Sequence, residues 1–217
     1  MYKRHLICSA IAALTLVSCS RDPNYLKQKY LDSGNKYYEQ KRYPEASIFY
    51  RKAIEKDRKF GPAYYHLALV DLKLEQVANA YNALRRAYEL LPKNTADSND
   101  TTLKLAEIIL MSASSQQDPQ PMLKEVQPMV DGLLKDNPNS WEGHKLNGDI
   151  ALLSATAAFR SGNPTETKTD IATAIQEYRT ALAAKPAASK PLAANSRKLF
   201  AISRKPSRLR CVGSGKP

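Results

Sequence analysis

The sequence predicts an all-α fold built from stacked helical hairpins, and three observations support this. Small and aromatic residues recur at a distance of 34 residues in the first half of the chain. Within each period the apolar residues are three or four positions apart, the spacing of one helix face. Pro44 falls at the expected first turn of a second helix, where its missing N–H costs nothing. One hairpin cannot bury its apolar face alone, so neighbouring hairpins are expected to stack.

The first two hairpins are predicted at residues 27–60 and 61–94. Matching positions hold Gly34, Tyr37, Ala46, Tyr50 and Ala53 in the first, and Ala68, Asp71, Ala80, Leu84 and Ala87 in the second, with Pro92 five residues later. Two antiparallel helices approach closely only where a side chain is small, so Gly34, Ala46 and Ala53 are expected at the crossings. Tyr30, Tyr37 and Tyr50 are expected to fill the space beside them, with their phenol oxygens reaching water.

This pattern resembles the tetratricopeptide repeat (TPR), a helical hairpin with small residues at three set positions and bulky ones at four others. Tyr64, Leu67 and Pro92 match the family's aromatic, leucine and terminal proline positions. In the first repeat Ser33 and Arg58 stand where the leucine and the proline are usual. The resemblance implies a right-handed solenoid that binds other proteins.

Two further units, at about 100–140 and about 141–186, look like stretched repeats. The last has Gly148, Ala174, Tyr178, Ala181 and Pro186 in the pattern of the first two. The separation of Gly148 and Ala174 exceeds that of the corresponding residues in the first two repeats by about fourteen residues. The segment 160–165 is a natural loop for these extra residues. The third is carried by Leu105, Ala106, Ile109, Val126, Val130, Leu133 and Pro138, with a long connection at 114–119. The sequence thus predicts three to four repeats, two with long insertions, over residues 27–186.

The N-terminal eighteen residues have the layout of a secretory signal peptide. Lys3 and Arg4 precede an apolar stretch from Leu6 to Val17, which is shorter than the roughly 20 residues that span a bilayer. The stretch closes with Leu16-Val17-Ser18-Cys19, which resembles the bacterial lipobox.

The lipobox resemblance implies that Cys19 becomes the lipidated first residue of a mature lipoprotein, with residues 19–26 as its membrane tether. Ser20 follows the cysteine, in place of the aspartate that in enteric bacteria often signals inner-membrane retention. The implied location is the periplasmic side of the outer membrane. The alternative is an ordinary secreted or periplasmic protein in which Cys19 is accidental.

The formal net charge of +12 is concentrated outside the predicted repeats. Residues 187–217 contain eight basic residues and no acidic one, and residues 1–18 contain two, which leaves +2 for 19–186. A nearly neutral repeat region lacks the basic footprint of nucleic-acid binding, so we expect no nucleic-acid partner. The basic segment 187–217 is expected to be disordered; the alternatives are a shifted reading frame, a truncated gene or a basic arm.

No arrangement of residues predicts catalysis, a metal site or a cofactor. The eight glycines never form a phosphate-binding loop. His66 and His144 lack a histidine or cysteine at metal-ligand spacing, and His66 is expected in a repeat interior or groove. With Cys8 in the signal peptide and Cys19 acylated, Cys211 has no partner for an intramolecular disulfide. The sequence therefore favours a binding protein over an enzyme.

The TPR resemblance also implies a peptide groove on the concave face, formed by the first helix of each hairpin. The positions that line it in the family are occupied here by Leu31, Asn35, Tyr38, Glu39, Tyr65, Leu69, Leu72 and Lys73. An aromatic and aliphatic groove suits an extended or helical peptide. Many co-chaperones of the family clamp a terminal carboxylate with a lysine and an asparagine; Asn35 is present, but Leu31 replaces the lysine, so this clamp is not expected.

Three functions are consistent with these features. The first is a scaffold for protein partners of the bacterial cell envelope, which assists assembly of an envelope, pilus or polysaccharide-export complex. The second is an accessory subunit that binds a glycan synthase or a polymer. The third is a truncated gene fragment with no independent function.

Overall fold

A computed structural model describes residues 22–184, which form eight α-helices and no strand. The helices are α1 (Pro23–Glu39), α2 (Tyr43–Lys56), α3 (Gly61–Lys73), α4 (Val77–Leu90), α5 (Ala96–Ser114), α6 (Gln120–Asp136), α7 (Trp141–Arg160) and α8 (Pro164–Ala184). The prediction of an all-α fold is confirmed for this part of the chain. Residues 1–18, Cys19, Pro186, the segment 187–217 and Cys211 lie outside the described residues.

The chain divides into two compact units, Met1–Ile108 (unit 1) and Ile109–Pro217 (unit 2), and the boundary falls inside α5. In unit 1, α1 packs against α2, α3 packs against α2 and α4, and α1 also contacts α3. In unit 2, α7 packs against α6 and α8. No helix within residues 22–184 combines the length and the hydropathy that crossing a bilayer requires.

The first two hairpins repeat each other down to the backbone of their turns. Lys41 and Glu75, 34 residues apart, have φ angles of 60° and 58°. In both turns the N–H of the next residue donates to the carbonyl five residues earlier, at 2.9 and 2.8 Å. The left-handed residue lets the chain reverse while the last carbonyls of the helix are satisfied.

The first helix begins inside the predicted tether 19–26. The side chain of Asp22 accepts a hydrogen bond from the N–H of Asn24 at 2.9 Å, and Pro23 occupies the first turn. A side-chain acceptor before a proline stabilises a helix N-terminus, so α1 starts four residues before the predicted repeat.

Close approach of the two helices depends on one glycine in each of two hairpins. Gly34 of α1 lies against the ring of Tyr50 of α2, and Gly148 of α7 lies against the ring of Tyr178 of α8. Both rings are fully buried. This pairing confirms the predicted crossing at Gly34 and the alignment of Gly148 with it.

The two buried tyrosines are also anchored in the same way. Tyr50 donates from its hydroxyl to Asn35 Oδ1 at 2.9 Å, and Tyr178 donates to Asp149 Oδ1 at 2.6 Å. In each hairpin the acceptor directly follows the glycine. The expectation that the phenol oxygen of Tyr50 reaches water is therefore wrong, since the fully buried ring leaves only a protein acceptor within reach.

The extra residues of the last hairpin lengthen its helices, so their predicted placement in the loop at 160–165 is wrong. Helices α7 and α8 contain 20 and 21 residues, whereas α3 and α4 contain 13 and 14. The apolar spacing continues past Gly148 through Ala151, Ala155 and Ala158, all buried, so helix formation continues too. Only residues 161–163 remain for the turn, where Gly162 has a φ of 73°.

Candidate functional site

In unit 1, α1 contacts α3, and a side-chain hydrogen bond joins α3 to α5. Tyr65 of α3 donates from its hydroxyl to Oδ2 of Asp100 on α5 at 2.9 Å. Tyr38 of α1 lies within electrostatic reach of both Tyr65 and Asp100. Asp97, one turn before Asp100, acts on Tyr65 as well. We call Tyr38, Tyr65, Asp97 and Asp100 the tyrosine–aspartate face.

Burial and negative charge both act on the two phenols. Burial is the main cause that raises the pKa of Tyr65, followed by the charge of Asp100 and its hydrogen bond. Burial likewise comes first in raising the pKa of Tyr38, followed by Tyr43 and Asp100. Both tyrosines therefore stay protonated at neutral pH, and each keeps a hydroxyl donor that can serve a ligand or a carboxylate.

The two carboxylates of this face differ in what they already bind. Asp100 accepts from Tyr65, and its Oδ1 lies 3.1 Å from Nζ of Lys104. Asp97 is half-buried, and its side chain forms no hydrogen bond or ion pair with another residue in the range 22–184. Asp97 is thus the carboxylate that is free to receive a donor from a ligand.

His66 lies beside this face, between two tyrosine rings. Its ring centroid is 5.5 Å from that of Tyr50 in a stacked arrangement, and 5.1 Å from that of Tyr65 in an edge arrangement. Burial lowers the pKa of His66, and the charge of Asp97 only partly offsets this. The imidazole is therefore neutral at neutral pH and adds no positive charge to the face.

The eight predicted groove residues differ widely in exposure. Leu31 and Tyr65 are buried, with 7% and 8% of their surface exposed; Asn35, Tyr38, Leu69 and Leu72 are half-buried; Glu39 and Lys73 are exposed. Asn35 is occupied by Tyr50, and Leu69 packs against the cluster around Tyr65. The edge of Tyr38 contacts the ring of Tyr43, with 5.5 Å between centroids. Of the eight, Tyr38 and Tyr65 are brought together with the aspartates of α5.

Asp97 and Asp100 are absent from the predicted groove because the third repeat has a weak pattern. Their spacing of three residues near the start of a predicted helix was the available signal, since it places both on one face of a turn. Without the register of that helix, the sequence does not indicate that this face adjoins Tyr65.

The tyrosines that were predicted to pack within the hairpins are buried to different extents. Tyr50 is fully buried, while Tyr30, Tyr37 and Tyr64 are half-buried. Tyr37 stacks on Phe49 with 5.1 Å between ring centroids. These rings therefore pack within the hairpins, whereas Tyr38 also lies within electrostatic reach of Tyr65 on α3 and Asp100 on α5.

Within residues 22–184 no group of three or more His, Cys, Asp or Glu side chains is placed to hold a metal ion. His144 is engaged by protein on both ring nitrogens, at 2.7 Å from Glu177 Oε2 and 3.0 Å from the carbonyl of Pro138.

Repeated helical hairpins with a side-chain cluster along their first helices define a helical-repeat protein. No protein-family model matches the chain, and no curated protein matches it. Solved structures do match. Residues 41 to the end of MamA from Desulfovibrio magneticus RS-1 align with 84% of this chain and 97% of that one, at 11% identity and a TM-score of 0.53.

Two other solved structures also align with the chain. The ArsTM double mutant of MamA RS-1 aligns with 82% of this chain and 95% of its own, at 10% identity and a TM-score of 0.53. YrrB, described as a TPR protein with an unusual peptide-binding site, aligns at 17% identity over 78% of this chain and 90% of its own, with a TM-score of 0.46. At such identities the similarity concerns the fold alone. The chain has a TPR-type helical-repeat fold, as its sequence predicts.

Proposed function

We propose that this protein is a non-catalytic scaffold that binds protein partners through the tyrosine–aspartate face of unit 1. The observation that carries the proposal is the hydrogen bond from Tyr65 to Asp100, which joins α3 to α5 near two half-buried groups, the Tyr38 ring and the unoccupied Asp97 carboxylate. A peptide that lies along such a face gains apolar burial from the rings and direction from the polar groups.

Binding at this face is tested by crosslinking in cells, followed by mass spectrometry of the captured proteins. We expect a Tyr38→Ala, Tyr65→Ala double variant to lose at least about 90% of the specific capture, since losing about 1.4 kcal/mol of binding lowers affinity tenfold. A Tyr25→Ala, Tyr81→Ala variant is the matched control, because it also removes two tyrosines but leaves the face intact.

A folding check accompanies the experiment, since Tyr65 is buried. Circular dichroism must show the same helix content for all variants. If Tyr65→Ala unfolds the protein, a Tyr38→Ala, Tyr65→Phe variant replaces it. Phenylalanine keeps the packing of the ring and removes the hydroxyl that donates a hydrogen bond to Asp100. Capture that is equal in the control and the face variants would contradict the proposed site.

We also propose that the protein acts at the outer membrane. The lipobox-like segment that ends at Cys19 supports a lipoprotein anchored in the outer membrane and facing the periplasm. Four positions separate Cys19 from the first residue of α1, so the N-terminus of α1 would lie at most about 14 Å from the anchored cysteine, at roughly 3.5 Å per extended residue. The partners would be envelope proteins, and the role would be assembly of an envelope, pilus or polysaccharide-export complex.

Anchoring is tested by replacing Cys19 with serine. We expect the variant to move from the membrane fraction to the soluble fraction of the cell, because the thiol that accepts the lipid is gone. Wild-type protein labelled with radioactive palmitate gives the direct readout, and Ser18→Ala, which keeps the thiol, is the control. Persistence of Cys19→Ser protein in the membrane fraction would contradict a lipid anchor.

A further inference from the structure

The charge on the tyrosine–aspartate face limits what it can bind. The acidic side chains that act on Tyr38, Tyr50 and Tyr65 are Glu39, Asp97 and Asp100. The cation bound within the face is Lys104, and it is already paired with Asp100. His66 is neutral, as argued above. An acidic peptide or a terminal carboxylate would therefore meet the negative charge of Asp97 and Asp100 at this face.

The same groups suit a positively charged side chain. Asp97 offers a half-buried carboxylate without a partner among the described residues, one helical turn before Asp100, which accepts the hydroxyl hydrogen bond of Tyr65. Tyr38 adds a half-buried ring on α1. Carboxylates beside tyrosine rings bind ammonium and guanidinium groups through charge-assisted hydrogen bonds and cation–π contacts.

The rigidity of the face favours selective recognition. The bond from Tyr65 to Asp100 joins α3 to α5, and α1, which carries Tyr38, contacts α3. Lys104 holds the second oxygen of Asp100, which leaves Asp97 as the open acceptor. A ligand that supplies a donor to Asp97 requires no protein group to give up its present partner.

We propose that the tyrosine–aspartate face binds an extended peptide segment through one lysine or arginine side chain, which contacts the Asp97 carboxylate and lies against the half-buried ring of Tyr38. This inference rests on the proposed function, because it names the ligand of the same face. It states the chemistry of the partner: a protein segment with an accessible basic residue.

The test uses the purified protein and four pools of nine-residue peptides, acetylated and amidated so that the termini carry no charge. The central residue is lysine, arginine, glutamine or glutamate, and the flanking positions are randomised among neutral residues. We expect the lysine and arginine pools to bind at least about fivefold more tightly than the glutamine pool, which corresponds to about 1 kcal/mol. The preference should weaken in 0.5 M salt, which screens charges that are partly exposed.

Substitutions at Asp97 separate recognition from structure. Asp97→Asn should abolish the preference, Asp97→Glu should keep it, and Asp97→Lys should transfer it to the glutamate pool. A loss of structure cannot reverse a charge preference, so the reversal is the decisive result. Glu55→Gln, which removes an equal charge at an exposed site on α2, is the matched control and should leave the preference unchanged.

Other outcomes overturn the inference. Equal binding of the four pools, binding of none, or a wild-type preference for glutamate would each contradict it. Crosslinking in cells then distinguishes the two proposals. Capture that is lost in Tyr38→Ala, Tyr65→Ala but unchanged in Asp97→Asn would leave the face as the binding site and exclude the basic residue. Capture that is unchanged in both would contradict the proposed function as well.

Discussion

Replacing Gly148 by alanine is expected to lower the free energy of unfolding by about 2 kcal/mol, the middle of the range for overpacking a well-filled core. A Cβ at this position would lie 2.6 Å from the ring of Tyr178, well inside van der Waals contact. The ring cannot move aside cheaply, because it is fully buried and its hydroxyl is bound to Asp149 at 2.6 Å. Gly34→Ala should behave alike, since its Cβ would meet the ring of Tyr50.

The measurement is urea unfolding followed by far-ultraviolet circular dichroism. Gly132→Ala is the matched control, because Gly132 lies in α6 with no atom within 4 Å of an added Cβ. Alanine there should stabilise the helix by about 0.5–1 kcal/mol, the ordinary difference between the two residues within a helix. The opposite sign of the two effects would separate the close approach at Gly148 from the general helix propensity of glycine.

A second substitution can identify the cause of the stability loss expected for Gly34→Ala. The second hairpin holds Ala68 and Leu84 where the first holds Gly34 and Tyr50, and both are fully buried. A Gly34→Ala, Tyr50→Leu double variant copies that pair, so it should be more stable than Gly34→Ala alone. Equal or lower stability of the double variant, or an unchanged stability of Gly34→Ala, would mean that the tyrosine ring does not set the required size.

These pairs also explain which parts of the fold the sequence could predict. The positions of Gly34, Tyr50, Gly148 and Tyr178 are visible because each residue type has a packing reason that depends on the helix crossing alone. A register built on such residues predicts helical hairpins and their order. It predicted the alignment of the last hairpin even though its two key residues are 30 positions apart.

The same register could not predict how the extra residues of that hairpin are used. The turn residues of the segment 160–165 do form the turn, so the loop signal was correct in place. The predicted length of the loop was wrong, because the alanine and threonine residues on both sides of the turn are compatible with longer helices as well as with a loop. The burial of Ala155 and Ala158 against the partner helix decides the matter, and that is a tertiary effect.

The candidate site shows a similar division. Tyr38 and Tyr65 belong to clean repeats, so their places on the first helices follow from the register. Asp97 and Asp100 belong to a hairpin whose pattern is weak, and they reach the site only because α5 packs beside Tyr65. A site formed by neighbouring repeats is predictable only as far as each contributing repeat is.

Replacing Asp71 by leucine is expected to raise the free energy of unfolding at pH 7 by about 1–3 kcal/mol, the usual cost of a buried polar group without a partner. Asp71 is 1% exposed, and neither carboxylate oxygen has a hydrogen-bond partner among the described residues. Burial raises the pKa of the Asp71 carboxyl above its ordinary value, and the positive charge of Arg51 on α2 only partly offsets this. The first hairpin has the bulky Tyr37 at this position, so a large apolar side chain suits the packing.

The gain should depend on pH in a defined direction. Because the pKa of Asp71 is higher in the folded state than in the unfolded state, the folded protein binds this proton more tightly. The stabilisation from protonation is fully present below the unfolded pKa and is lost as pH rises through the folded pKa. The advantage of Asp71→Leu over wild type should therefore shrink as pH falls from 7 toward 4.

Two comparisons isolate this effect from the other carboxyl groups. All of those titrate in both proteins, so the difference between wild type and Asp71→Leu at each pH reports Asp71 alone. Asp71→Asn removes the charge but keeps a buried polar group, and its gain at pH 7 should be smaller than that of leucine. A destabilised Asp71→Leu protein, or a gain that is constant from pH 7 to pH 4, would show that the Asp71 carboxylate is well solvated or paired in the folded protein, contrary to its burial without a hydrogen-bond partner.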